Sequence, residues 1–319
     1  MKTNSDVRRP ADAETIAYVN AVAAYGLWGV LPLYFMLVSA VPSGQLVAQR
    51  IVWSVLVVGT AFFLARRMDL VMDVLRDRRV ISRLSMSACI IALNWLVFIV
   101  GVDAHRVLEI SFGYFINPLV SVALGTVLLG ERLSRGQCLA VGIAAIAIAI
   151  QAWGLGSFPW ISLALAFSFG IYGFLRKTVV VGAATGLLVE AAVLLPVALA
   201  YLGWCAFSGT LMLGDDVTMM LLIAASGVVT AVPLILFARG VQGLPLSTIG
   251  ILQYLAPSLN FLLAIFVFDE KLDPSRLISF ALIWVSLVVF TRDLLHRRAA
   301  TVAAQKANAA AVAGTGGVD

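Results

Sequence analysis

Small and polar residues recur every four positions inside one long apolar stretch of this 319-residue chain, between residues 109 and 133. They are Glu109, Gly113, Asn117, Ser121 and Gly125. Side chains four residues apart lie along one face of an α-helix, so the pattern predicts a polar row on an otherwise apolar helix. Residues 110–129 suffice to cross a bilayer core at about 1.5 Å per residue.

Four amide side chains fall well inside apolar stretches: Asn94, Asn117, Gln253 and Asn260. An amide there either binds a polar solute in a cavity or joins two helices by a hydrogen bond worth about 1 kcal/mol. Pro118 and Pro257 remove backbone donors and leave carbonyl groups open to a ligand or a neighbouring helix. Both interpretations stay open for Asn117 and Gln253, whereas helix–helix bonding is favoured for Asn94 and Asn260.

Aromatic residues accompany the amides and could line the same cavity. They are Tyr25, Trp28, Trp95, Tyr114, Tyr172 and Tyr254. Aromatic rings offer a solute an apolar body with a polar tip, although near span ends they more often anchor a helix at the membrane interface. Trp28 and Tyr172 lie in mid-span, which favours the cavity. The hydroxyl groups of Ser121 and Thr230 complete the predicted set.

Three charged residues are candidates for gating or coupling: Arg50, Glu109 and Glu190. Arg50 lies roughly 9 Å below the outer end of its span, where a lone guanidinium costs about 2.5–3.5 kcal/mol. Glu109 enters from the same side, so we predict an Arg50–Glu109 ion pair. Glu190 is either a proton-coupling carboxylate or an acid hydrogen-bonded within the bundle. The lack of a second deeply buried acid favours the latter.

The composition indicates an integral membrane protein, with 61% hydrophobic residues, 12% charged residues and a mean hydropathy of +1.01. The net charge of +5 fits basic inner loops better than a nucleic-acid partner. Three cysteines without paired spacing predict neither a disulfide nor a metal site. Two histidines and no phosphate-binding loop exclude a His-based triad in the membrane and ATP-driven pumping by this chain. We therefore expect no enzyme and no cofactor.

Hydropathy predicts an all-α membrane protein with ten transmembrane helices. The predicted spans are 17–38, 44–65, 84–102, 107–129, 137–153, 158–175, 183–204, 217–238, 246–268 and 275–291. A near-copy of the polar stretch follows 139 residues later, pairing Pro118 with Pro257 and Ser121 with Asn260. Five spans per copy predict two inverted repeats, 17–153 and 158–292, between a 1–16 amino-terminal tail and a disordered 293–319 tail.

The predicted inner segments hold most of the 22 Lys and Arg residues, so both termini are expected in the cytoplasm. Six arginines fall in segment 66–83. That segment is predicted as an ordinary inner loop, with a helix on the lipid surface as the alternative.

Several motifs in order carry a family resemblance. They are Arg50–Ser54, Leu93–Val97, Val107–Glu109, Gly113–Leu119, Gly130–Leu133, Ser168–Gly173, Gly227–Leu234 and Gln253–Pro257. Across about 17–292 the chain resembles the drug/metabolite transporter superfamily, its EamA group and most closely the RarD branch. The resemblance implies a bacterial inner-membrane transporter whose cavity is lined mainly by spans 1, 3, 4, 6, 8 and 9, with spans 5 and 10 peripheral. Gln49 stands where that family has His, which puts proton coupling in doubt.

We therefore expect a secondary transporter that exports a small metabolite or drug-like solute by alternating access around a midplane cavity. The alternative is a membrane sensor or scaffold that keeps the fold without transporting. Substrate identity, direction, proton coupling and oligomeric state stay open at this point.

Overall fold

The structure, a computed structural model, describes residues 10–153, 158–214, 216–267 and 274–315. Within these ranges the chain forms twelve α-helices. They are α1 Pro10–Leu37, α2 Ser43–Leu64, α3 Met68–Arg76, α4 Arg78–Asp103, α5 Val107–Leu128, α6 Arg135–Trp153, α7 Trp160–Thr178, α8 Ala183–Phe207, α9 Val217–Gly243, α10 Leu246–Leu252, α11 Leu255–Phe266 and α12 Pro274–Thr315. Helix α3 lies in a predicted loop, and α10 and α11 together form the predicted ninth span.

Nine helical segments of the described chain are long and apolar enough to cross a membrane. The remaining predicted span, the sixth (158–175), corresponds to α7, whose Ser162, Ser168 and basic Arg176–Lys177 end lower its mean hydropathy. Large apolar side chains cover the outside of the helices; Phe63 and Val127, for example, are more than two-thirds exposed. Exposed apolar surface on this scale needs a lipid solvent, so the predicted multi-pass all-α membrane fold is confirmed.

The helices divide into two compact units. Helices α1–α5 and α7–α11 form the first unit, and α6 and α12 form the second. Within the second unit, the Ser286 hydroxyl donates a hydrogen bond to the Ala140 carbonyl (2.8 Å), and the Ser134 hydroxyl donates to the Asp293 carboxylate (2.6 Å). The fifth and tenth spans thus pair with each other.

Packing in the first unit follows the inverted repeat. Helix α5 packs on α7, and their repeat equivalents, α10–α11 and α1, also pack on each other. In the same way, the contact of α4 with α7 corresponds to that of α9 with α1, and the contact of α4 with α8 corresponds to that of α9 with α2. Helix α2 contacts α8, its own equivalent, as α5 contacts α10. A pseudo-twofold relation between the halves requires such a pattern, which confirms the predicted inverted repeat.

Alternate loops meet at the same end of the first unit. At one end, the side-chain amide of Gln45, in the first turn of α2, donates to the Thr210 carbonyl (2.7 Å) and accepts from the Met212 amide (2.8 Å) in the α8–α9 connection. At the other end, the Glu131 carboxylate accepts from the Leu246 and Ser247 amides (2.6 and 2.8 Å), which open α10. Glu131 therefore caps a helix of the opposite repeat.

Equivalent prolines have different effects in the two repeats. Helix α5 runs unbroken through Pro118, whereas the ninth span breaks between Leu252 and Leu255. Pro257 lacks the N–H that would reach the Gln253 carbonyl, which instead accepts from the Ala256 amide (3.2 Å) in a tighter turn. The broken span crosses α5 at Gly250, where a Cβ atom would lie 2.6 Å from the Pro118 carbonyl oxygen.

Both predicted tails are shorter in the structure. Helix α1 begins at Pro10, so part of the predicted 1–16 tail is helical. Helix α12 extends to Thr315, so the prediction of disorder is wrong for 293–315. The segment after residue 298 is rich in alanine, the strongest helix former, and a helix there needs no apolar face. Residues 1–9 and 316–319 lie outside the described chain.

Segment 66–83 contains the short helix α3 instead of an irregular loop. Its Val71 and Val74 side chains are buried, and α3 packs against α4 and α8. These two valines therefore contact protein, whereas Leu70 and Leu75 are exposed, so the lipid-surface alternative stays open for the other face of α3. The Asp77 side chain then caps α4 by accepting from the Arg79 amide (2.9 Å).

Candidate functional site

A cavity of about 260 Å³ lies within the first unit. Helices α1, α2, α4, α5, α7, α9 and the α10–α11 segment all contribute lining side chains. The lining is mostly apolar and aromatic, with a few polar groups, as is usual for small-molecule sites. The lining residues are Tyr25, Trp28, Leu31, Pro32, Phe35, Arg50, Ile91, Asn94, Trp95, Phe98, Tyr114, Asn117, Phe169, Leu234, Gln253, Ala256, Pro257 and Asn260.

The structure brings most of the sequence-predicted candidates to this cavity. Those in the lining are Tyr25, Trp28, Arg50, Asn94, Trp95, Tyr114, Asn117, Gln253 and Asn260. Those outside the lining are Glu109, Ser121, Tyr172, Glu190, Thr230 and Tyr254. The contributing spans are the six that the resemblance implies, with span 2 added through Arg50.

Four polar atoms of the lining have no hydrogen-bond partner among the described residues. They are the Tyr25 hydroxyl and the side-chain oxygens of Asn117, Gln253 and Asn260, all buried. Buried polar atoms are nearly always paired in folded proteins, because an unpaired one loses its hydration without compensation. The four residues line one cavity, so a polar solute there would meet side chains whose hydrogen-bonding capacity the described protein leaves unused.

Asn94 differs from the other three amides because its side chain already forms hydrogen bonds to protein groups. Its amide donates to the Leu165 carbonyl (3.0 Å) and the Ser168 hydroxyl (2.8 Å) on α7. The helix-bonding interpretation favoured for Asn94 therefore describes its contacts, even though it also lines the cavity.

An aromatic cluster lies beside the cavity around Phe237 on α9. The Trp28 and Phe169 rings, both in the lining, lie 5.5 and 5.3 Å from the Phe237 centroid. Tyr172 stacks on Phe237 from outside the lining, with centroids 6.0 Å apart. The repeat-equivalent residues Trp28 and Tyr172 therefore take different places, one in the lining and one behind it.

Arg50 is held by groups from three other helices. Its Nε donates to the Thr230 hydroxyl on α9 (2.7 Å), and the guanidinium carbon lies 5.6 Å from the Phe35 ring centroid and 5.5 Å from that of Trp95. Cation–π contacts of this kind stabilise a desolvated cation by about 0.5–2 kcal/mol. Thr230, predicted as a lining residue, thus contacts Arg50 instead.

The predicted Arg50–Glu109 ion pair is wrong. Glu109 pairs with Arg106, three residues earlier at the start of α5. The prediction compared only how deep the two residues lie. Depth does not define which side of each helix they occupy, and Glu109 has a basic residue within one turn.

Glu190 forms a buried cluster with Arg176 and Tyr172. Its carboxylate lies 3.4 Å from the Arg176 Nη1 and accepts from the Tyr172 hydroxyl at 3.5 Å, and both charged side chains are at most 3% exposed. Gly186, one turn before Glu190, leaves room for the guanidinium: a Cβ atom there would lie 2.7 Å from the Arg176 Nη2. The contacts are those of an acid hydrogen-bonded within the bundle. Sequence reasoning had assigned Arg176 to an inner loop.

The other predicted residues outside the lining make packing contacts. The Tyr254 hydroxyl donates to the carbonyl of Phe115, its repeat equivalent (3.3 Å). Ser121 packs beside Gly250 where α5 crosses α10. Sequence reasoning missed Phe35 and Phe98 in the lining. Phe35 follows Trp28 by seven residues and Phe98 follows Asn94 by four, so each lies on the same helix face as a predicted candidate and could have been found by that spacing.

Curated relatives decide the family. "Protein RarD" of Escherichia coli (strain K12) is 42% identical over 88% of this chain and 95% of that protein. An "Uncharacterized transporter" of Vibrio cholerae is 42% identical over 86% and 91%, and "Chloramphenicol-sensitive protein RarD" of Pseudomonas aeruginosa is 31% identical over 88% and 95%. The chain belongs to the RarD family. The EamA-type resemblance is thereby confirmed, although a scan against models of protein families found no match.

A solved crystal structure shares the fold of this RarD-family chain. The match has a TM-score of 0.65 and covers 90% of this chain and 98% of the other, at 21% identity. At that identity the likeness shows the fold alone.

Gln49 is the departure noted from the RarD pattern. Its side chain is buried, lies outside the cavity lining and has an Nε2 atom without a hydrogen-bond partner among the described residues. The glutamine amide does not titrate, so this side chain cannot take up and release a proton during transport.

Proposed function

We propose that this RarD-family protein is a secondary transporter of a small organic solute, working by alternating access around the cavity of the first unit. It would act in the bacterial cytoplasmic membrane, with both termini inside and export as its direction. One observation carries the proposal: four residues that line one cavity each have a buried polar atom without a partner among the described residues. The transporter names of relatives and the inverted-repeat packing support it. No catalytic step is proposed.

The alternative is a non-transporting sensor or scaffold with the same fold. A sensor would bind a solute in this cavity without moving it, and a scaffold would have no use for the unpaired polar atoms. Solute flux is therefore the measurement that separates these functions.

The test begins with a thermal-shift screen of the purified protein against metabolites and drugs, because a specific ligand stabilises the folded state by mass action. The most stabilising compound is then followed in proteoliposomes. Asn117→Leu and Gln253→Leu should each lower its flux about tenfold or more and leave the melting temperature near wild type, because the side-chain oxygens have no protein partner to lose.

Ser121→Ala is the matched control, since Ser121 is buried on the helix of Asn117 but lies outside the lining. It should transport normally. Normal flux in both leucine variants would contradict the cavity assignment. Binding without flux in the wild-type protein would favour the sensor.

A further inference from the structure

Arg50 is the one cationic side chain among the described lining residues, and none of those residues is Asp or Glu. Two other arginines of the first unit each pair with a carboxylate: Arg106 pairs with Glu109, and buried Arg176 pairs with Glu190. No such partner accompanies Arg50. The charge of this cavity is therefore left to be balanced by something other than the described chain.

The contacts of Arg50 hold the guanidinium without occupying all its donors. A guanidinium carries five N–H donors in a planar fork, and Thr230 accepts from Nε. The Phe35 and Trp95 rings contact the cation through their π faces and accept no conventional hydrogen bond. The terminal nitrogens keep the geometry that suits two parallel bonds to a carboxylate.

The remaining lining limits what the anion can be. With a single cation in the described lining, a dianion would keep one uncompensated charge in the cavity. Asn117, Gln253 and Asn260 line the cavity and have side-chain oxygens without a partner among the described residues, so their amide groups can bond an N–H or O–H donor on the solute. Trp28 and Phe169 offer apolar faces to its body.

We propose that the cavity binds an organic monocarboxylate, with the carboxylate paired to the terminal nitrogens of Arg50 and with a donor-bearing apolar body against the amide oxygens and aromatic rings. This inference rests on the proposed function, because it names the solute class of the same cavity. The anion is recognised by charge and fork geometry, and the body by hydrogen bonding and ring contacts.

The experiment compares acids with their neutral amides on the purified full-length protein. The probes are benzoate against benzamide, and 4-hydroxyphenylacetate against 4-hydroxyphenylacetamide, with dissociation constants taken from thermal-shift titrations. The acid of each pair should bind about tenfold or more tightly than its amide. The hydroxyl-bearing acid should bind more tightly than benzoate, because it brings a donor for the amide oxygens.

Arg50→Gln should remove the preference for acids, and Arg50→Lys should keep a reduced preference, because it retains the charge and loses the fork. Ser121→Ala is the matched control: Ser121 is buried but lies outside the cavity lining, so this variant should preserve the preference. If Arg50→Gln fails to fold, the Arg50→Lys titration still decides the question.

Equal binding of acids and amides, an unchanged acid preference in Arg50→Lys, or no acid binding up to about 10 mM would overturn the inference. Its failure is distinguishable from failure of the proposed function. If a neutral library compound is transported and Asn117→Leu abolishes its flux, the transporter proposal stands and the monocarboxylate class falls. If no compound is transported while acids bind through Arg50, the monocarboxylate class stands and the transporter proposal falls.

Discussion

Two arginines of the first unit, buried Arg176 and partly buried Arg50, are stabilised in different ways. Arg176 has Glu190 as a counter-charge and is 1% exposed, whereas Arg50 has aromatic faces and a hydroxyl. A buried ion pair adds little net stability, but loss of one partner leaves an uncompensated buried charge. The Arg176–Glu190 pair is therefore expected to matter for folding more than for solute binding.

Glu190→Gln tests this expectation at the residue scale. The variant should lower stability by about 3–5 kcal/mol, because Arg176 then remains charged and unpaired. Unfolding of the purified protein in denaturant measures the loss. The double variant Arg176→Met/Glu190→Leu should recover much of it, since it removes both charges together.

A different outcome would revive the proton-coupling interpretation of Glu190. Glu190→Gln would then fold with wild-type stability, and transport in proteoliposomes would lose its dependence on a proton gradient. The stability and flux measurements on the same variant thus separate a structural acid from a coupling acid.

Close contact between the two halves is concentrated at the α5–α10 crossing. Gly250 lies against the Pro118 carbonyl, and Gly125 lies near the Ser247 amide, where an added Cβ would come within 3.0 Å. Glu131 then caps α10 just beyond this crossing. Main-chain atoms cannot move aside as a flexible side chain can, so both positions of this crossing, Gly125 and Gly250, require glycine.

Gly250→Ala tests the crossing at the element scale. The new methyl group would lie 2.6 Å from the Pro118 carbonyl oxygen, and overpacking of this kind costs about 1–3 kcal/mol. Gly203→Ala, within helix α8, is the control: its added Cβ meets nothing within 4 Å, and the substitution should gain up to about 1 kcal/mol of helix propensity. Melting temperatures of the two variants should move in opposite directions; a neutral Gly250→Ala would refute the close crossing.

Sequence reasoning identified the spans and the repeat because both depend on patterns along the chain, namely apolar length and the spacing of matched residues. It also found most polar lining residues, since a polar group in an apolar span has few other uses. It failed for the partner of Arg50, because spacing along a helix gives depth but not the facing side of a second helix. It could not distinguish the intact helix at Pro118 from the broken one near Pro257, because that difference depends on the neighbours of each.

At the scale of the whole molecule, the loop contacts agree with an inverted arrangement. Gln45, at the start of α2, bonds to the α8–α9 connection at one end, and Glu131, in the α5–α6 connection, caps α10 at the other. The excess of basic residues in segment 66–83 and the other predicted inner loops predicts that the second end is the cytoplasmic one. Asp215 and Asp273, in segments predicted to face outward, lie outside the described residues.

Cysteine labelling tests this orientation. In a background without Cys89, Cys138 and Cys205, an impermeant maleimide added to intact cells should label Leu213→Cys, in the α8–α9 connection. It should label Asp69→Cys, on α3, only after the cells are permeabilised. Both native side chains are exposed, so burial does not explain a difference. Labelling of Asp69→Cys alone in intact cells would reverse the topology.

The unpaired charge of Arg50 would have an electrical consequence for the proposed transport cycle. A monocarboxylate bound to Arg50 would make the loaded cavity neutral, whereas the empty cavity carries one positive charge. Each charge that crosses the membrane field is worth about 2.3 kcal/mol per 100 mV. A change in access that shifts Arg50 within the field would therefore be voltage-sensitive in the empty carrier and nearly insensitive in the loaded one. The resting potential would thus set how fast the emptied protein resets, while leaving the passage of its solute almost untouched.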